Sequence, residues 1–130
     1  MDSNALQALM DGLSAQWQRQ RADSQMTLGE LISALDSMPP DAQVAFLIDA
    51  HSYRGYYNDL AFEYRPGDAR PASDLLNECR AAMGQTFQGY KGGDFVMGKT
   101  TPLWVASYGC CGEKLVALNP DGSIETAPDD

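Results

Sequence analysis

The chain has 130 residues, 44% of them hydrophobic and 21% charged, and nine Lys and Arg against eighteen Asp and Glu leave a net charge of -9. That length suits one domain able to bury its own core without metals or disulfides. The acidity argues against binding bulk nucleic acid, which needs clustered cations. No apolar run reaches the roughly 18 residues of a membrane span, so no membrane partner is expected.

The N-terminus shows no charged region followed by an apolar core, so no secretion signal is read there. Three cysteines, two of them the adjacent Cys110 and Cys111, make a poor disulfide framework and predict a reducing, cytoplasmic compartment. The charge is uneven. Between Gly84 and Gly109 only Lys91, Asp94 and Lys99 are charged, whereas Asp121 to Asp130 holds four acids and no base.

In chain order, residues 1–25 predict an amphipathic helix over 2–22, with Leu6, Leu9, Met10, Leu13 and Trp17 at helical spacing. Its polar end carries Arg19 and Arg21. It is expected to dock on the domain or on another copy, which points to a homo-oligomer, the alternative being a disordered extension. Thr27-Leu28-Gly29-Glu30 fits a capping box and opens a second helix, which Met38-Pro39-Pro40 stops. Ala42 to Ile48 reads as a core strand. Tyr57 to Tyr64 reads as a second strand antiparallel to it, broken by Pro66-Gly67-Asp68. Ser73 is expected to cap a third helix running through Met83. Phe95–Met97, Pro102–Tyr108 and Lys114–Leu118 complete the strands, and Asn119-Pro120-Asp121-Gly122 is a turn. The predicted fold class is α+β: three helices against one mostly antiparallel sheet of about five strands. The predicted division is a single ligand-binding domain over 26–118 and an acidic disordered tail over 119–130.

Two stretches carry the chemistry. The first, Asp49 to Asp59, holds the only histidine, His51, with Tyr53, Arg54, Gly55, Tyr56, Tyr57 and Asn58. A tyrosine face can stack on a nucleobase for about 1–3 kcal/mol. The Arg54 fork matches a phosphate. The second stretch, Gly84 to Phe95, holds Phe87, Gly89, Tyr90, Lys91, Gly92 and Gly93. Its glycine amides beside Lys91 suit an anion. It lacks the spacing of a nucleoside-triphosphate P-loop. Together the two predict a pocket for a small anionic, ring-bearing ligand. The plainer alternatives are sheet tyrosines with Arg54 paired to Asp49 or Asp59, and an ordinary turn at Gly92-Gly93.

Catalysis is weakly supported. Asp49 and His51 would share a strand face, and Ser52, Cys110 or Cys111 could serve as nucleophile, but no Gly-x-Ser-x-Gly motif is present. For zinc, Cys79, Cys110, Cys111 and His51 lack Cys-x-x-Cys spacing. Neither a catalytic residue, a metal nor a cofactor is assigned.

Thr27-Leu28-Gly29-Glu30-Leu31, His51-Ser52-Tyr53-Arg54-Gly55-Tyr56-Tyr57, Thr86-Phe87 and Gly89-Tyr90-Lys91-Gly92-Gly93 together resemble a family of small phage proteins. The resemblance covers residues 26–118, and the family it suggests is the Thoeris anti-defence sponges. It implies an oligomeric phage protein, at work in the cytoplasm of an infected bacterium, that binds a cyclic ADP-ribose signal without degrading it. On the chemistry of the residues, the ligand set is His51, Tyr53, Arg54, Tyr56, Asn58, Phe87, Tyr90, Lys91, Gly92 and Gly93. Two rivals remain: an acidic, DNA-mimicking inhibitor of a host nuclease or restriction factor, and a small hydrolase or cyclase-like enzyme acting on the same kind of ligand through His51 with Asp49.

Overall fold

The computed structural model describes residues 25–53, 59–88, 93–107 and 111–128. Those residues form an α+β fold with a five-stranded, mostly antiparallel sheet. They contain two helices, α1 (Leu28–Asp36) and α2 (Ala72–Ala82). The helix expected over 2–22 lies outside the described residues. The main sheet runs β1 (Gln43–Ser52), β2 (Leu60–Pro71), β5 (Leu103–Ser107), β6 (Cys111–Leu118) and β7 (Ile124–Ala127), in that spatial order. Strands β3 (Thr86–Gln88) and β4 (Asp94–Val96) form a separate hairpin. Among the described residues no helix is long and apolar enough to cross a membrane.

Local chemistry explains the helix starts. Thr27 accepts from the Glu30 N–H at 3.3 Å, and the Glu30 carboxylate accepts from the Thr27 N–H at 3.1 Å, so the expected capping box is present. The start of α2 corrects the expectation of a Ser73 cap. Pro71 sits at the cap position and provides no side-chain bond. Instead the Ala72 and Ser73 N–H groups donate to the carbonyls of Ala42 (2.7 Å) and Pro40 (3.1 Å), so the turn between α1 and β1 satisfies the helix end.

The sheet departs from the sequence reading in three places. First, β2 does not end at Pro66-Gly67-Asp68. Ala45 pairs with Ala69 and Leu47 with Tyr64, so residues 65–68 bulge opposite Phe46 and the ladder resumes beyond them. A bulge tolerates a proline that a regular ladder would not. The Arg65 guanidinium lies over the Phe46 ring, 5.6 Å from its centroid. Second, the strand expected at 95–97 belongs to the β3–β4 hairpin, where Phe95 faces Phe87. Third, the expected disordered tail contains β7, paired along β6 from Leu118–Ile124 to Lys114–Ala127. Half-buried Ile124 gives that acidic segment an apolar anchor.

Strands β1 and β2 pair antiparallel as expected. Strand β2 then pairs parallel with β5, joined through α2 and the β3–β4 hairpin. Leu60, Phe62, Leu103 and Leu115 point toward Leu28, Leu31, Leu35, Leu75 and Cys79 to form the main core. Ala61, Trp104 and Ala106 point to the opposite face, under Tyr53. The turn after β6 leans on the outer edge of β1, where the Ala45 N–H donates to the Gly122 carbonyl at 2.8 Å. The sheet therefore curls, and its two ends meet.

Candidate functional site

The first motif stretch begins at an irregularity in β1. Ile48 pairs with Glu63 and His51 with Ala61, so Asp49 and Ala50 together oppose Phe62 alone. Asp49 has φ 55°, a left-handed conformation that Asp tolerates better than most residues. Neighbours hold the bulge from below. The Ala50 N–H donates to Glu78 Oε2 at 3.1 Å. Arg70 donates to Glu78 Oε1 at 3.0 Å and to the Leu47 carbonyl at 2.7 Å. One carboxylate on α2 and one guanidinium on β2 thus fix the backbone on both sides of the bulge.

The bulge also changes what Asp49 and His51 can do together. His51 Nδ1 lies 2.6 Å from the Asp49 backbone carbonyl. A carbonyl only accepts, so Nδ1 carries the proton and the other ring nitrogen is left as the acceptor of the neutral ring. The aspartate reaches the histidine through its main chain, not through its carboxylate as an acid–base pair would require.

Beyond the bulge, the chain turns onto the sheet face opposite the helices. Tyr53 is 6% exposed, and its ring stacks on Trp104 with centroids 4.3 Å apart and planes within 3°. Its N–H donates to the Asp59 carbonyl at 2.9 Å, and its hydroxyl accepts from the Gly112 N–H at 3.2 Å. Fully buried Trp104 donates its indole N–H to Asp59 Oδ2 at 2.8 Å. Trp104 therefore holds residues on both sides of 54–58. The stacking partner of Tyr53 is a core tryptophan, which leaves little of the ring for a ligand.

The second stretch lies beside the first. The Gly84 N–H donates to the Met97 carbonyl at 2.8 Å, and the Met97 N–H donates to the Gln85 carbonyl at 3.1 Å, which starts the β3–β4 hairpin. Gly93 has φ +87°, and a Cβ there would meet the Phe95 ring at 3.4 Å. The hairpin sets Phe87, half-buried, next to β1. Between them opens a cleft of about 410 Å³ lined by Asp49, Ala50, Glu78, Ala82, Gln85 and Phe87. The two motif stretches, far apart in sequence, thus share a wall.

Of the ten expected ligand residues, His51, Tyr53, Phe87 and Gly93 are placed by the structure. Arg54, Tyr56, Asn58, Tyr90, Lys91 and Gly92 lie outside the described residues, as does Cys110. Cys79 is buried in the core, and burial pushes its thiol up to about 12, with the Glu78 carboxylate adding to the shift. It is a neutral packing residue at ordinary pH, not a thiolate nucleophile or ligand. Among the described residues no three His, Cys, Asp or Glu side chains cluster so as to hold a metal ion. The sequence reading missed Trp104, Asp59, Arg70 and Glu78, which support the site from beneath. Only the Trp104 signal was available in advance, as a large ring inside a strand of small and branched residues.

Comparison with known proteins returns no matching family model, no matching curated protein and no matching solved structure.

Proposed function

We propose that this protein binds and sequesters a small cyclic nucleotide of the cyclic ADP-ribose type without breaking it. In this reading it is a phage anti-defence protein, assembled as a homo-oligomer in the cytoplasm of the infected bacterium. The observation that carries the proposal is the cleft of about 410 Å³ between β1 and β3, which joins the two motif-bearing stretches. Its size falls in the range of small-molecule sites, about 300–1,000 Å³. Phe87 supplies a ring at its wall, and Tyr56 and Tyr90 are assigned to stack on the base. Asn58 is assigned to read polar edges, and so is His51, which does not itself line the cleft.

Electrostatics guides the assignment of the phosphates. The described wall carries Asp49 and Glu78, which repel an anion. Glu78 is already engaged by Arg70 and the Ala50 N–H. The phosphates are therefore assigned to Arg54, Lys91 and the amides of Gly92 and Gly93. A rigid support under the bulge favours tight binding by lowering the ordering cost. The bond of His51 to a backbone carbonyl fixes the ring and leaves its other nitrogen as an acceptor for a polar edge of the ligand.

Calorimetry with a cyclic ADP-ribose isomer tests the assignment. Arg54→Ala should weaken binding by about 10- to 100-fold, the worth of a charge-assisted bond at about 1.5–3 kcal/mol. Unchanged affinity in that variant would remove Arg54 from the site. The net charge of -9 favours one other reading, an acidic inhibitor of a host nuclease or restriction factor. That reading requires a protein partner and no nucleotide.

A further inference from the structure

A second groove, of about 480 Å³, lies on the helix-bearing face of the sheet and is lined by Tyr64, Pro66, Val105, Glu113, Ile124 and Thr126. Tyr64, Val105 and Ile124 are apolar, half-buried and packed at the margin of the core. Neither α1 nor α2 contributes a residue to this groove. We infer that the segment preceding Gln25 in the same chain docks there, placing Trp17 and neighbouring apolar side chains against Val105 and Ile124.

The direction of the chain leads to this. Leu28 donates to the Thr101 carbonyl, Thr27 bridges Pro102, and Leu103 donates to the Met26 carbonyl. Read backwards from Leu28, the chain therefore advances along β5 toward Val105. Met26 also donates to the Leu115 carbonyl at 2.7 Å, so it is wedged between β5 and β6 where the two separate. One step further on, Trp104 pairs with Lys114 and closes the ladder. The chain must leave the sheet plane there. The far face at that point is occupied by Trp104 under Tyr53. The near face opens onto Val105 and Glu113, two residues beyond Leu103 and Leu115, or about 7 Å along a strand.

Three further features fit this occupant. Trp17 precedes Gln25 by eight residues, a reach of up to about 28 Å, so it can span the groove. Arg19 and Arg21 lie in the part of the segment nearest the exit, and Glu113 stands at the groove rim. Gln25 is 5% exposed, with its side-chain amide donating to the Leu103 carbonyl at 2.6 Å. Its Oε1 has no partner among the described residues. A buried acceptor in that condition calls for a donor, and the chain just before it is the nearest source.

The test uses the full chain. Trp17 and Trp104 are its two tryptophans, and Trp104 is fully buried, so acrylamide quenching reports chiefly on Trp17. A quenching constant at least threefold below that of a synthetic peptide of residues 1–24 is expected. Ile124→Glu should raise it toward the peptide value, with the circular dichroism of the domain unchanged. Should Ile124→Glu fail to fold, Glu113→Lys at the exposed rim should raise quenching, and Arg19→Glu with Arg21→Glu in that background should lower it again. Quenching equal to that of the peptide, or protection indifferent to the groove variants, overturns the inference. Protection that disappears on dilution overturns it too, and assigns the groove to a second copy's segment.

Discussion

Two glycines in this fold share a backbone conformation and differ in everything around them. Gly67 has φ +90° and Gly122 has φ +92°. Alanine at either position suffers the same local strain, about 1–2 kcal/mol for a residue forced to positive φ. At Gly67 a Cβ meets nothing within 4 Å. At Gly122 it would fall 2.0 Å from the Gln43 carbonyl oxygen and 3.1 Å from Val44 Cα. Backbone cannot yield as a side-chain tip can, so the turn must withdraw from β1. That breaks the bond from the Ala45 N–H to the Gly122 carbonyl, worth about 1 kcal/mol, and opens apolar contacts beside it. Gly67→Ala should cost about 1–2 kcal/mol and Gly122→Ala about 3–4 kcal/mol. Equilibrium urea unfolding of both variants gives the difference directly, since the shared strain cancels. Equal losses would show that the turn after β6 does not brace β1, and the curled closure of the sheet would have to be abandoned.

Two other outcomes follow from the core. Tyr53→Phe keeps the stack on Trp104 and loses the bond from the Gly112 N–H, so it should cost about 1 kcal/mol. Tyr53→Ala also empties the space over Trp104 and should cost about 3–5 kcal/mol, with increased acrylamide quenching of Trp104 in a Trp17→Phe background. Cys79 gives a pH signature. Its thiol is raised from 9.0 to about 12 in the folded protein, so the folded state holds that proton where the unfolded chain has released it. Its contribution is fully present below pH 9 and is lost as pH rises from 9 toward 12. The urea midpoint should fall across the accessible part of that window, and less steeply in Cys79→Ala. An identical slope in both would remove Cys79 as the cause.

Much of the architecture was legible because it is local. Thr27 and Glu30 lie three residues apart and announce their helix. The apolar run from Val44 to Ile48 announces a buried strand. Asn119 to Gly122 announces a turn, and the structure closes it with a 2.9 Å bond from the Gly122 N–H to the Asn119 carbonyl. What escaped depends on distance along the chain. The parallel pairing of Leu60 with Leu103 leaves no mark on either segment. Pro66-Gly67 signals a break equally well whether the strand ends or bulges. Ile124 in an acidic stretch gave too weak a period to outweigh its charges. The candidate site divides the same way. Its residue types were visible in sequence, but the support was not: Glu78 beneath Ala50 and Trp104 beneath Tyr53 are separated from them by 28 and 51 residues.

Sequestration makes one demand that neither an enzyme nor a protein-binding inhibitor shares. A nucleotide must enter, stay, and leave unchanged. Purified protein incubated with a cyclic ADP-ribose isomer, freed of excess ligand, then heated and analysed by mass spectrometry tests this directly. A sequestering protein releases a bound species at the mass and linkage of the ligand supplied. A released product of altered mass would make the protein an enzyme, and an empty protein would contradict nucleotide binding altogether.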